Sequence, residues 1–185
     1  YALRDYGYRK PFVPRNITKT PMAIEGNPFI RFDYGGDGGT TEMAQMVLDT
    51  WMYTRNRTLL ERYLPLVVNT IDFFRQHYEG RDKQGKMVIF PTQALETYWC
   101  AWEGSHGANT WVDPTPENCP INDHPTVSSL HVLMEKALRL PSDLISAYWP
   151  TWKAFHAILP PVPLIEEDGV VRVSPYEQFP RAQHS

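Results

Sequence analysis

Residues 42–78 read EMAQMVLDTWMYTRNRTLLERYLPLVVNTIDFFRQHY, and the spacing of their apolar side chains decides the fold. Met43, Met46, Val47 and Trp51 recur at helical spacing, with Thr40 or Thr41 placed to cap the start. "TRNRT" then makes a turn. Beyond it Leu60, Tyr63, Leu64, Val67, Val68, Ile71 and Phe74 trace the apolar stripe of a second helix over 58–78. Pro65 interrupts the backbone ladder of that helix, which predicts a kink or two consecutive helices. Two amphipathic helices joined by so short a link form an antiparallel hairpin.

Outward from this pair, residues 1–39 carry Pro11, Pro14, Pro21 and Pro28 and end in the glycine cluster DYGGDGG, an extended lead-in rather than regular structure. On the other side, DKQGKMVIFP (82–91) reads as a glycine turn entering a short strand. Residues 101–125 are rich in Gly, Asn, Asp and Pro and form a long loop, a class usually tied to function. A second hairpin comes after it. Its first helix covers 126–140 with Leu130, Leu133, Met134 and Leu138 on one face; Ser142, with Asp143 behind it, starts another running to about Leu159. Asn122-Asp123 stand before Pro125 where a helix cap belongs. The chain leaves through a proline-rich stretch into a β-hairpin around Asp168-Gly169. The fold class is all-α: antiparallel helical hairpins with long loops and short β-hairpins. Two hairpins do not readily close a core alone, so the array is expected to continue beyond this chain.

Composition narrows the function classes. The chain has 185 residues, a net charge of −3 and 21% charged residues. That balance gives no electrostatic reason to expect a nucleic-acid or anionic-membrane partner, and no apolar run approaches the roughly 20 residues of a membrane span. Aromatic content is 13%, with six Trp and ten Tyr, which suits a large core or a carbohydrate cleft. The two cysteines, Cys100 and Cys119, match no zinc spacing; they pair across the intervening loop or stand as independent thiols. The sequons Asn16-Ile17-Thr18 and Asn56-Arg57-Thr58 are compatible with a secreted or extracytoplasmic chain.

The chemistry concentrates in IFPTQALETYWCAW (89–102). One carboxylate, Glu96, stands there among Phe90, Tyr98, Trp99 and Trp102. Rings desolvate a carboxyl group, raise its pKa and keep it protonated near neutrality, which suits a general acid that protonates a glycosidic oxygen. The plainer role for Glu96 is a cap or an arginine partner. Tyr98, Trp99, Trp102 and Trp111 have the faces to stack on sugar rings, or to pack between helices. Gln93 and Thr97 flank the carboxylate, and Asp33 and Asp37 of the glycine cluster could bond to hydroxyls. The cluster itself lacks the pattern of a phosphate-cradling loop. None of the six histidines has metal-site spacing, and no G-x-S-x-G elbow occurs, so neither a catalytic metal, nor another cofactor, nor a hydrolase triad is expected.

The helix pair 42–78, with its turn YTRNRT, resembles that of the six-hairpin, or (α/α)6-toroid, glycosidases. PTQALE (91–96) is similar to the Pro-Ser-x-Ser-Pro-Glu segment of glycoside hydrolase family ninety-five, the inverting α-L-fucosidases and their relatives. LIEEDGVVRV and the closing RAQHS resemble that family's later region. The resemblance implies that 40–185 is part of a toroid catalytic domain, incomplete at both ends, with 1–39 as lead-in. It implies a carbohydrate substrate, Glu96 as general acid and His184 near the active site. The aspartate that activates water would follow Ser185. Inversion requires the two carboxyls to stand roughly 6.5–9.5 Å apart with a water between them. On this reading the chain alone is inactive. The alternative is a non-catalytic carbohydrate-binding or scaffold protein on the same fold, which would keep the stacking aromatics and lack the acid–base pair.

Overall fold

A computed structural model describes residues 38–90, 92 and 120–178. The described chain is mostly helical, with two small antiparallel sheets. Helix α1 spans Gly38–Thr54 and α2 spans Arg57–His77. Strand β1 (Ile121–Asp123) leads directly into α3 (His124–Ala137), followed by α4 (Ser142–Ile145) and α5 (Trp149–Ile158). Strands β2 (Leu164–Glu167), β3 (Val170–Val173) and β4 (Tyr176–Gln178) complete the order. Among the described residues no helix is long and apolar enough to cross a membrane.

Helix α1 begins at Gly38, inside the glycine cluster, so Thr40 and Thr41 are its first-turn residues rather than its cap. Its core face also differs from the expected stripe. Ala44, Val47 and Leu48 are buried, Trp51 is half-buried, and Met43 and Met46 point outward at 57% and 66% exposure. The run is apolar on both sides, so periodicity alone did not fix the rotation; the neighbouring helices do.

Only Arg55 and Asn56 separate α1 from α2, with Arg55 at a φ of 55°. Asn56 caps α2: its side-chain Oδ1 accepts from the Leu59 N–H at 3.0 Å. Leu60, Leu64, Val67, Ile71 and Phe74 are buried, as the stripe predicts, and Phe73 joins them; Tyr63 is turned outward and Val68 packs at the margin. Helix α2 is one element that runs through Pro65. Pro65 lies on the exposed face, so the carbonyl of Glu61 that loses its amide partner can bond to water instead.

The second hairpin departs further from expectation. The arm expected from Ser142 to Leu159 is split into α4 and α5 by a turn at 146–148. Pro150 stands in the first turn of α5, where its missing N–H costs nothing, whereas a helix continued through it from α4 would lose a backbone bond. Ile145, Trp152, Phe155 and Leu159 are buried in the same core cluster as Leu130, Leu133 and Met134 of α3.

Helix α1 packs against both α2 and α3. Gln45 Nε2 donates to the Ser129 carbonyl at 3.2 Å, and Asp49 pairs with Lys136 at 2.6 Å. Both partners advance along the chain together, so α1 and α3 run parallel. The first helices of successive hairpins thus lie side by side. Arg57 at the tip of the first hairpin bonds to Glu61 at 2.8 Å and to Asp143 of α4 at 2.5 Å.

The glycine turn at 82–86 forms as expected, closed by Asp82 N to Lys86 O at 2.8 Å with Gly85 at a φ of 77°. Residues 87–90 then continue as extended chain, joined to Arg81 by a bridge at Met87, rather than as a strand. The hairpin at Asp168-Gly169 is present, both turn residues at positive φ, and pairs β2 with β3 from Leu164–Val173 to Glu167–Val170. All eight of its strand residues are exposed.

Candidate functional site

Every side chain singled out for carbohydrate chemistry lies outside the described residues: Asp33, Asp37, Gln93, Glu96, Thr97, Tyr98, Trp99, Trp102 and His184, together with Trp111 and both cysteines. Phe90 is described and half-buried, and Thr92, which opens TQALE, is described and fully buried. The described residues next to 93–119 are Ile89, Phe90 and Thr92 before that stretch and 120–123 after it.

Thr92, Asn122 and Asp123 form a buried polar cluster. The β1 strand pairs antiparallel with β4, placing Asp123 opposite Tyr176, and His124 N bonds to the Pro175 carbonyl at 2.9 Å. Asp123, 1% exposed, is the N-cap of α3. Its Oδ1 accepts from Thr126 N at 2.9 Å, and its Oδ2 accepts from the Thr92 hydroxyl at 2.5 Å. Burial pushes the Asp123 carboxyl above its ordinary pKa, opposed by the bonds from Thr92 and Thr126, which favour the ionised form.

Beside it, Asn122 holds a left-handed backbone with a φ of 51°, a conformation Asn tolerates better than most residues. Ile89 N donates to Asn122 Oδ1 at 2.7 Å, and Asn122 N donates to the Ile89 carbonyl at 3.1 Å. Asn122 Nδ2 donates to Glu177 Oε2 on β4. Met87 N reaches the Ile158 carbonyl at 2.6 Å, tying the same extended segment to the end of α5.

Thr92 and the Asn122-Asp123 pair, which stand on either side of residues 93–119, are thus held together, by buried bonds at Thr92, Ile89 and Asp123 and a part-buried one at Glu177. Both oxygens of Asp123 are committed to hydrogen bonds, so it acts here as an anchor and a helix cap rather than as an acid or base. Among the described residues no cluster of His, Cys, Asp and Glu could hold a metal ion.

The capping role of Asp123 was legible in "NDHP". The roles of Thr92, Asn122 and Glu177 were not. Their partners are 31, 33 and 55 residues away, with no local periodicity to announce them. The one available signal was a polar pair, Asn122-Asp123, between Ile121 and a helix, where only one residue is needed as a cap. Comparison of the chain with models of known families, with curated proteins and with solved structures finds no match.

Proposed function

We propose that this chain is part of an inverting glycoside hydrolase built on an (α/α)6 toroid, with Glu96 as the general acid. The observation that carries the reading is the parallel packing of α1 and α3, the first helices of two successive hairpins. A toroid of helical hairpins requires that arrangement, because its inner helices all run the same way.

The buried cluster supports the placement of the acid. Thr92 is held by Asp123, and Glu96 stands four residues after Thr92. A general acid has to be positioned to within hydrogen-bond reach of the oxygen it protonates. In this proposal the buried bond of Thr92 to Asp123, four residues before Glu96, serves that need. On this reading Tyr98, Trp99 and Trp102 stack on sugar rings, and Asp33, Asp37, Gln93, Thr97 and His184 bond to hydroxyls. Glu96 donates its proton to the leaving oxygen while an aspartate beyond Ser185 activates water on the opposite face of the ring.

The test is Glu96→Gln in a polypeptide extended to include that base, screened on oligosaccharides with the anomer of the first product followed by NMR. Hydrolysis with inversion, falling by roughly 10²–10⁴-fold in the variant with the melting temperature unchanged, is the expected result. Wild-type hydrolysis by a folded Glu96→Gln protein would exclude Glu96 as the acid. Oligosaccharide binding without hydrolysis by the extended protein would move the reading to a non-catalytic carbohydrate-binding role.

A further inference from the structure

The tip of the first helical hairpin carries the sequon Asn56-Arg57-Thr58, and its geometry separates two duties of one side chain. Asn56 uses Oδ1 to cap α2, accepting from Leu59 N at 3.0 Å, and its backbone N–H is bonded to Thr54 Oγ1 at 3.2 Å. Its Nδ2 donates to no group among the described residues. Residues 52–58 are all exposed, so the amide nitrogen opens to solvent at the end of the helix pair rather than into a packed face. The central residue of the sequon is Arg57 and the residue after it Leu59; neither is the proline that would disqualify it. Arg57 extends away to Glu61 and Asp143, leaving the Asn56 side uncovered.

We propose that Asn56 is an N-linked glycosylation site. Transfer forms a bond between Asn56 Nδ2 and C1 of the first sugar of a polyprenyl-diphosphate-linked oligosaccharide. The C1–O bond to the diphosphate breaks, the polyprenyl diphosphate leaves with that electron pair, and one amide proton passes to a base of the transferase. The product retains Oδ1 as an acceptor, so the helix cap survives the modification. The glycan then shields the exposed tip, including Tyr53 at 89% exposure. The inference is independent of the carbohydrate-enzyme reading and requires only passage through a secretory compartment.

The experiment expresses the full chain behind a cleavable signal peptide in a eukaryotic secretory host, with Asn16→Gln to silence the other sequon. Total protein is treated with an amidase that releases N-glycans and converts the glycosylated Asn to Asp. A gain in mobility on digestion, with the Asn56 peptide recovered as Asp, is expected. Asn56→Asp keeps a capping oxygen and Thr58→Ala leaves the whole Asn56 cap in place. Each is expected to abolish the mobility gain while retaining the helical circular dichroism of the parent. The proposal is overturned if digestion changes nothing and the peptide is recovered with Asn56 unmodified, or if the mobility gain persists in Asn56→Asp.

Discussion

Each helical hairpin carries a proline in its second arm, and the two prolines act in opposite ways. Helix α2 runs through Pro65, whereas the arm containing Pro150 is broken into α4 and α5. The covalent effect is the same at both: a lost amide bond and a ring against the carbonyl four residues back, about 3 kcal/mol in a helix interior. The packing differs. Leu60 and Leu64 before Pro65, and Val67, Ile71 and Phe74 after it, are buried on one face. Each large apolar side chain contributes roughly 1.5–3 kcal/mol on burial, so holding both halves in line outweighs the defect. Before Pro150 the stretch 142–149 buries only Ile145, with Ser146, Ala147, Tyr148 and Trp149 exposed. Nothing there offsets a strained helix, and the chain turns instead. A proline breaks a helix when the segment ahead of it has too little to bury.

The largest expected effect tests that explanation directly. Phe74→Ala, at a fully buried position beyond the proline, is expected to cost roughly 3–5 kcal/mol in urea unfolding. A cost below about 1 kcal/mol would mean the α2 stripe is not what carries the helix through Pro65.

The caps of the two hairpins come next. Asn56→Ala at the exposed cap of α2 is expected to cost about 1 kcal/mol. Asp123→Ala, at the buried cap of α3, is expected to cost about 2–3 kcal/mol, because it also removes the acceptor of the Thr92 hydroxyl. The buried cap also carries a pH dependence. Burial raises the Asp123 pKa in the folded state, so between the unfolded and folded values the native protein holds the extra proton. Stability from this group is complete below the unfolded value, about 3.9, and declines as pH rises through the folded one. Asp123→Asn keeps the capping oxygen without the titration. Its stability relative to the parent should therefore improve as pH is raised from about 4, read from urea midpoints across a pH series. A difference that stays flat would exclude the buried carboxyl as the source.

The prolines themselves give a smaller contrast. Pro65→Ala restores the bond to the Glu61 carbonyl and is expected to stabilise by about 1–2 kcal/mol, after the lost rigidity of the unfolded chain is deducted. Pro150→Ala, in the first turn of α5, is expected to stay within about 0.5 kcal/mol of the parent. Arg57→Ala, which removes both ion pairs at the hairpin tip, should produce the least change. Bonds to Asp143 and then Glu61 hold the guanidinium above its ordinary pKa, yet the groups are exposed and water replaces them readily. High salt should leave its melting temperature and that of the parent alike.

The helices were legible in the sequence wherever a buried stripe was long and one-sided. Leu60, Leu64, Val67, Ile71 and Phe74 announced α2 to within a residue at each end. Helix α1 was legible as an element but not in its rotation, because Met43 and Met46 compete with Ala44 and Leu48 for the inward face, and only α2 and α3 decide between them. The break at 146–148 was missed because the pattern of large side chains runs on through Tyr148 and Trp149 although they are exposed. The polar cluster was least legible, since its residues are joined by tertiary contacts across 31 to 55 positions.

Asn122 has a consequence for how the protein folds. Its side chain joins residue 89 to residue 177, so its bonds form only after loops of 33 and 55 residues have closed. The α1–α2 hairpin needs a two-residue turn. Loop-closure entropy favours the local hairpin first and the Asn122 junction last. Asn122→Ala should then accelerate unfolding and leave the folding limb of the chevron in place. In kinetic terms Asn122 is a late-closing fastener, which governs how long the native state lasts once formed rather than how quickly it is reached.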